Sequence, residues 1–283
     1  MGIAVSTACA LLGCFLVVRR MSLLGDAISH AVLPGLALAF LFSGSRAVFP
    51  MVLGAIASGM LTSFLIEFVS RRGPIKKDAA IGIIFTTLFA IGVILVSLFA
   101  DRVDLDQECV LYGEITFIPL EPHFFLGGFD LGPTPFVLMV GVVLIILLTL
   151  FLFYKEFLIT SFDPAMAVSL GVPVVFIHYL LMGLVSTTVV AAFESVGAIL
   201  VVTLLIAPAA TASLLTHRMP RMLVLAVLQG VISTLIGLPL AVWLDASVAG
   251  CIAVVGFFLF ILAFLFSPSQ GIFVKAWLLK RAT

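Results

Sequence analysis

The chain has 283 residues, 63% hydrophobic and only 10% charged, with 14 basic residues balancing 14 acidic ones. At a mean hydropathy of +1.37, a soluble domain of this size could not cover its surface with so few charges. A water-soluble enzyme or binding module is excluded, and the chain reads as all-α: a polytopic helical membrane protein forming one transmembrane domain over 1–283.

A membrane-spanning helix requires about 20 mostly apolar residues. Runs of that kind fall near 1–18, 23–43, 48–69, 79–100, 134–154, 174–192, 195–215, 222–243 and 247–266. They predict nine crossings, or eight if a short one is re-entrant. Met1 leads straight into the first run without a basic leader, so no cleavable signal peptide is expected. With the amino terminus outside, one side of the membrane receives Arg19, Arg20, Arg71, Arg72, Lys76, Lys77, Lys155, Arg218, Arg221, Lys275, Lys280 and Arg281. Only Arg46 and Arg102 fall on the other side, a decisive positive-inside signal that puts the carboxyl terminus in the cytoplasm. The longest outer loop, about 101–133, carries Asp101, Asp104, Asp106, Glu108, Glu114, Glu121 and Asp130. Such a loop concentrates cations at the outer face, or simply tolerates acids there.

Asp26 and His30 stand within MSLLGDAISHAVLPG, inside the second run. Four residues along a helix return two side chains to one face, a turn apart. A carboxylate deep in a bilayer costs roughly 2.5–3.5 kcal/mol on insertion scales, so it requires a partner, water or an ion. Carboxylate oxygen with imidazole nitrogen is a donor pair suited to manganese, iron or zinc. The competing reading leaves Asp26 hydrogen-bonded to backbone amides near Arg19 and Arg20, with His30 as a packing residue. One Asp and one His are too few for a divalent ion, but two copies across a two-fold axis supply four contacts and balance a 2+ charge. Pro34 and Gly35 close the polar stripe with a pair that kinks or loosens a helix. Gly54, Ala55, Ala57, Ser58 and Gly59 in the next run suit close helix packing in lipid.

Between two later runs lies SFDPAMAVSLGVPV, residues 161–174. Asp163 and Pro164 read as a helix start, Gly171 and Pro173 as a stop. A short helix there is either a docking element for a soluble partner or an interfacial connector. The basic loop 71–78 is a second contact candidate on the same face. Further on, Glu194 falls between two runs as a possible metal-entry ligand or a helix cap, and Pro208 interrupts a helix as a packing kink that could serve gating. His178 reads as packed or interfacial, His217 belongs to a basic loop, and His123 sits beside Glu121 as a solvated outer-loop residue. Cys9, Cys14, Cys109 and Cys251 are scattered singly, without ligand spacing, and read as packing residues outside any disulfide. The sequence contains neither a GxxxxGK[ST] phosphate loop nor an HExxH helix, so no ATP hydrolysis or zincin chemistry is expected of this polypeptide.

Taken in order, MSLLGDAISHAVLPG, DAAIGIIFTTLFAIGVIL, SFDPAMAVSLGVP, AFESVGAILVVTLLIAPAATASLL and the closing SPSQG resemble the membrane permeases of ABC importers for manganese, zinc and iron. The resemblance covers essentially the whole chain, its first and last motifs being the specific ones. It implies a bacterial inner-membrane protein that works beside a second permease copy, identical or paralogous, embedded in lipid and with no nucleic-acid partner. It further implies two cytoplasmic ATP-binding cassette subunits and an extracytoplasmic metal-binding protein. The ATPases would dock on a helix matching about 162–172, here Phe162, Asp163, Ala165, Ala167 and Gly171, and the pore site would fall on Asp26 and His30. The metal would be cargo, with no permanently bound cofactor. The implied fold resembles that of cobalamin and siderophore importers, whose ten helices per subunit exceed the count here.

Two other functions compete: a permease for a metal chelate, and an ion-coupled secondary metal transporter. A chelate needs a wide apolar tunnel, which an Asp–His lining does not suit, and a secondary transporter has no use for a docking helix. Asp–His ligation without sulfur suits manganese and iron slightly better than zinc, and manganese is favoured.

Overall fold

The computed structural model describes residues 1–44, 48–73, 75–98, 115, 118–120, 123–126 and 129–267. Four helices open the chain: α1 (Gly2–Val18), α2 (Leu23–Ser43), α3 (Val48–Arg72) and α4 (Lys77–Leu98). A 3-10 turn (Ile118–Leu120) and two short strands, β1 (His123–Leu126) and β2 (Phe129–Pro133), follow. Then come α5 (Thr134–Leu152), α6 (Tyr154–Phe162), α7 (Pro164–Ser169), α8 (Val174–Leu215), α9 (Met219–Leu244) and α10 (Val248–Phe266). The antiparallel β1–β2 hairpin, with Phe125 opposite Asp130 and Leu126 opposite Phe129, departs from the purely helical expectation.

Among the described residues, eight stretches are long and apolar enough to cross a membrane, and α1 is a further apolar helix of 17 residues. Its shortness goes with a central position. Twelve of its residues are buried, and it packs against α5, α6, α8 and α9. Gly13 lets α1 lie directly on the Leu205 carbonyl of α8, where any Cβ would collide. The buried thiols of Cys9, Cys14 and Cys251 are free, as packing residues would be, and Cys109 lies outside the described residues.

Helix α8 spans 42 residues, a rise of about 63 Å at ~1.5 Å per residue. That is twice the ~30 Å hydrocarbon core, so it comprises two spans, Val174–Phe193 and Ser195–Leu215. Just inside the second span, Gly197 breaks the helix with a φ of 75° and ψ of 163° that are open to glycine but not to side chains with a Cβ. The sequence leaves 193–194 between the two runs, close to the non-helical Gly197, and Pro208 sits inside the second span.

Contacts between helix ends test the expected segregation of charge. Arg19 at the end of α1 reaches Thr160 and Ser161 at the end of α6. Glu67 near the end of α3 meets His178 in the first turns of α8, and Ser267 after α10 donates to the Leu214 carbonyl at the end of α8. Each contact joins two helix ends that the expected segregation assigns to the same face. Gly2 lies at the other end of α1, packed against Thr234 and Ile115.

Candidate metal site on α2

The candidate ligands occupy the first two turns of α2. Asp26 falls in the first turn, where the unpaired N–H groups of a helix favour negative charge. Its Oδ1 stands 3.4 Å from His30 Nε2, and the two side chains are 37% and 34% exposed. The expected same-face pairing is thus realised in the folded chain. The His30 ring is bordered by Phe85 and Phe89 of α4, at centroid distances of 5.9 and 5.7 Å. Among the described residues no three His, Cys, Asp or Glu side chains gather, so the pair offers two donors on a partly open face.

Neighbouring helices fix the pair's position. Ser58 of α3 donates to the Ala31 carbonyl at 2.5 Å, and Ser29 donates to Gly25 at 2.9 Å. Gly35 and Gly54 bring α2 and α3 into backbone contact, and Gly92 admits the Pro34 ring to the surface of α4. The helix runs on through Pro34 to Ser43, so Pro34 and Gly35 make a close-contact point within a continuous element. One turn beyond His30 begins an open, largely apolar cavity of about 720 Å³, lined by Leu38, Phe42, Leu53, Ala57, Leu61 and Leu95 among others.

The segment 161–174 folds as its punctuation predicts. Asp163 Oδ1 accepts the Met166 N–H at 2.9 Å, Pro164 opens α7, and Gly171 adopts a φ of 77°. The N–H groups of Gly171 and Val172 close the helix onto the carbonyls of Val168 and Ala167. Phe162, Asp163, Ala165 and Gly171 are exposed, whereas Ala167 is buried. Phe162, Met166, Val168 and Leu170 leave an apolar surface on this non-spanning helix and the residues flanking it.

Preceding it, α6 is an element the sequence reading passes over. Phe157 is fully buried against Phe15 of α1, with ring centroids 5.4 Å apart. Arg19 donates from Nε to Ser161 Oγ at 2.9 Å and from Nη2 to Thr160 Oγ1 at 2.8 Å. Burial pushes its guanidinium down to about 10, still charged at neutral pH.

Two further carboxylate–imidazole pairs were not anticipated. His178 Nε2 lies 3.4 Å from Glu67 Oε2, beside a small cavity of about 200 Å³ lined by Phe64, Phe68, Arg72, Val175 and Tyr179. Glu67 could have been noticed as a carboxylate within the apolar run LTSFLIEFV. In the hairpin, His123 Nδ1 pairs with Asp130 Oδ2 at 2.7 Å rather than with Glu121, which lies outside the described residues. The hydrogen bonds from His123 and from the Gly132 N–H hold the Asp130 carboxyl below its ordinary value. Glu194 precedes the Gly197 break on the backbone, at the end of its span opposite His178; its side chain lies outside the described residues, as do Asp101, Asp104, Asp106, Glu108 and Glu114. His217 is exposed after α8.

The family model of the ABC 3 transport family matches residues 1–267. The chain belongs to this family. It is 47% identical over 274 residues to the manganese transport system membrane protein MntD of Bacillus subtilis, covering 97% of this chain and 92% of the relative. It is also 45% identical over 281 residues to the zinc transport system membrane protein TroD of Treponema pallidum, covering 99% of this chain and 76% of the relative. Among solved structures, this ABC 3 chain is similar to PsaBC from Streptococcus pneumoniae in complex with Fab, with a TM-score of 0.78 and 36% identity over 95% of this chain and 90% of that one.

Proposed function

We propose that this chain is the transmembrane permease subunit of an ATP-driven importer of divalent transition metal ions, manganese in the first place. Relatives named for manganese and zinc transport support that substrate class. The observation that carries the site assignment is the Asp26–His30 pair: two donors of the right chemistry, 3.4 Å apart, on a partly exposed face of a membrane helix. Two donors leave a divalent ion short of ligands, so a second permease copy brings its own pair across a shared axis and water completes the shell. A sparse shell suits transport, since the ion must also leave. The helical arrangement is then of the kind found in cobalamin and siderophore permeases, with the amino terminus outside.

The permease itself performs no hydrolysis. ATP is hydrolysed by separate cytoplasmic subunits, a pair of which docks on α7 through the exposed Phe162, Met166 and Leu170 surface. An extracytoplasmic binding protein delivers the ion to the opposite face. Uptake of radiolabelled manganese by cells expressing Asp26→Ala or His30→Ala, at permease levels equal to wild type, tests the site. Uptake lost in both variants is the expected result; uptake equal to wild type removes the pair from the ion path.

A further inference from the structure

Importing an ion by ATP hydrolysis requires that a displacement at α7 reach Asp26, which lies on a different helix. Helix α7 itself is poorly attached, with Ala167 as its one buried side chain. Helix α6, directly before it, is firmly held. Phe157 is sunk against Phe15, and Thr160 is also buried. Arg19 then grips the last turn of α6 through two nitrogens of one planar fork.

The donor and acceptor roles of the two hydroxyls in this grip are mutually consistent. Thr160 Oγ1 donates its proton to the Glu156 carbonyl at 2.7 Å, and Ser161 Oγ donates to the Phe157 carbonyl at 2.6 Å. Each hydroxyl oxygen therefore keeps lone pairs for the guanidinium, and each hydrogen bond polarises the next. On the other side of Arg19 the chain turns sharply into α2. Arg20 adopts a φ of 57°, the Met21 N–H bonds to the Leu16 carbonyl at 2.9 Å, and α2 begins at Leu23. The fork thus joins the end of α6 to the short turn that leads into the Asp26–His30 helix.

We propose that Arg19 is a positioning residue that couples the ATPase-docking module to the ion site: α6 and the α1–α2 turn move as one body because the guanidinium bridges Thr160 and Ser161. The inference rests on the docking reading of α7. An anchor that merely fixed topology at a basic membrane face would need no such directed pair of acceptors.

The test uses the permease assembled with its ATPase subunits in liposomes, with ATP hydrolysis and manganese uptake measured on one preparation. In Arg19→Gln the subunits remain associated and hydrolyse ATP, while manganese moved per ATP falls about tenfold, in line with loss of a charge-assisted fork. Arg19→Lys, a single-point donor, lies between that variant and wild type. Thr160→Val combined with Ser161→Ala removes the acceptors and reproduces the Arg19→Gln ratio; this pair carries the test should Arg19→Gln fail to reach the membrane. Manganese per ATP equal to wild type in the acceptor pair overturns the proposal. Failure of the docking reading shows separately, as ATPase subunits that still co-purify when Phe162 and Met166 are both replaced by Asp.

Discussion

Gly35 of α2 and Gly54 of α3 touch backbone to backbone: a Cβ built on either would strike the carbonyl oxygen of the other. In lipid, where apolar side chains gain little by leaving hydrocarbon for protein, such contacts supply much of the attraction between helices. This one lies little more than a turn from His30, so it sets how far the ligand-bearing part of α2 stands from α3. Gly54→Val is expected to destabilise the protein by about 1–3 kcal/mol through overpacking. The apparent melting temperature in detergent should fall by several degrees, and manganese uptake should fall with it. A variant as stable and active as wild type would mean that the crossing point is not held tightly.

Ligand chemistry gives a sharper test of the ion site than removal of a ligand does. His30→Asp keeps two donors on the same face of α2 but makes them all oxygen. Imidazole favours zinc, copper and nickel, whereas an oxygen shell suits manganese and magnesium. Competition by zinc against manganese uptake should weaken roughly tenfold, the effect of about 1.4 kcal/mol on relative affinity. The measurement is the zinc concentration that halves manganese uptake. No change there, with uptake preserved, would place the selecting ligands elsewhere.

Much of this architecture was legible in the sequence because the bilayer imposes a single length on apolar helices. Spacing alone paired Asp26 with His30, and Asp163–Pro164 with Gly171–Pro173 bracketed α7. Other features escaped for identifiable reasons. Helix α6 follows α5 without a proline or glycine to mark it, so YKEFLITSF reads as the frayed end of a span. The gap between the runs 174–192 and 195–215 marks two spans but not Gly197 as the residue at which the backbone turns, because a lone glycine in an apolar run gives no local sign of its φ. The Glu67–His178 pair joins α3 to α8, and no local periodicity reports a contact between residues so far apart in the chain.

Gly171 tests whether the shape of α7 matters. At a φ of 77° a β-branched residue is strained by roughly 1–2 kcal/mol, whereas Asn tolerates the left-handed region. Gly171→Val should therefore disrupt the end of α7 and reduce co-purification of the ATPase subunits severalfold, and Gly171→Asn should retain most of it. Equal recovery with Val and with wild type would separate the turn from docking.

The Glu67–His178 contact ties α8 to α3 a few residues beyond α7. If the pair is a real tie, Glu67→Gln and His178→Ala must be non-additive. A coupling of about 0.5–3 kcal/mol is the range for side chains in contact. Thermal stability of the two single variants and the double variant, measured in one detergent, gives that coupling. Strict additivity would show that the two side chains do not interact in the folded protein.

Outside the membrane-spanning helices, the hairpin provides a pH-dependent test. Asp130 has a carboxyl held below its ordinary value because the charged form accepts hydrogen bonds from His123 and from the Gly132 N–H. A depressed carboxylate stabilises the fold at pH above its unfolded value, and the contribution disappears as pH falls through the lower, folded value. The Gly132 amide should accordingly be protected from hydrogen exchange at neutral pH, after correction for intrinsic rates. Protection should fall as the carboxylate is protonated. Asp130→Ala should show the low-pH behaviour at every pH, because the acceptor for Gly132 is gone. Protection that persists in the variant would assign the hairpin's order to its backbone pairing alone.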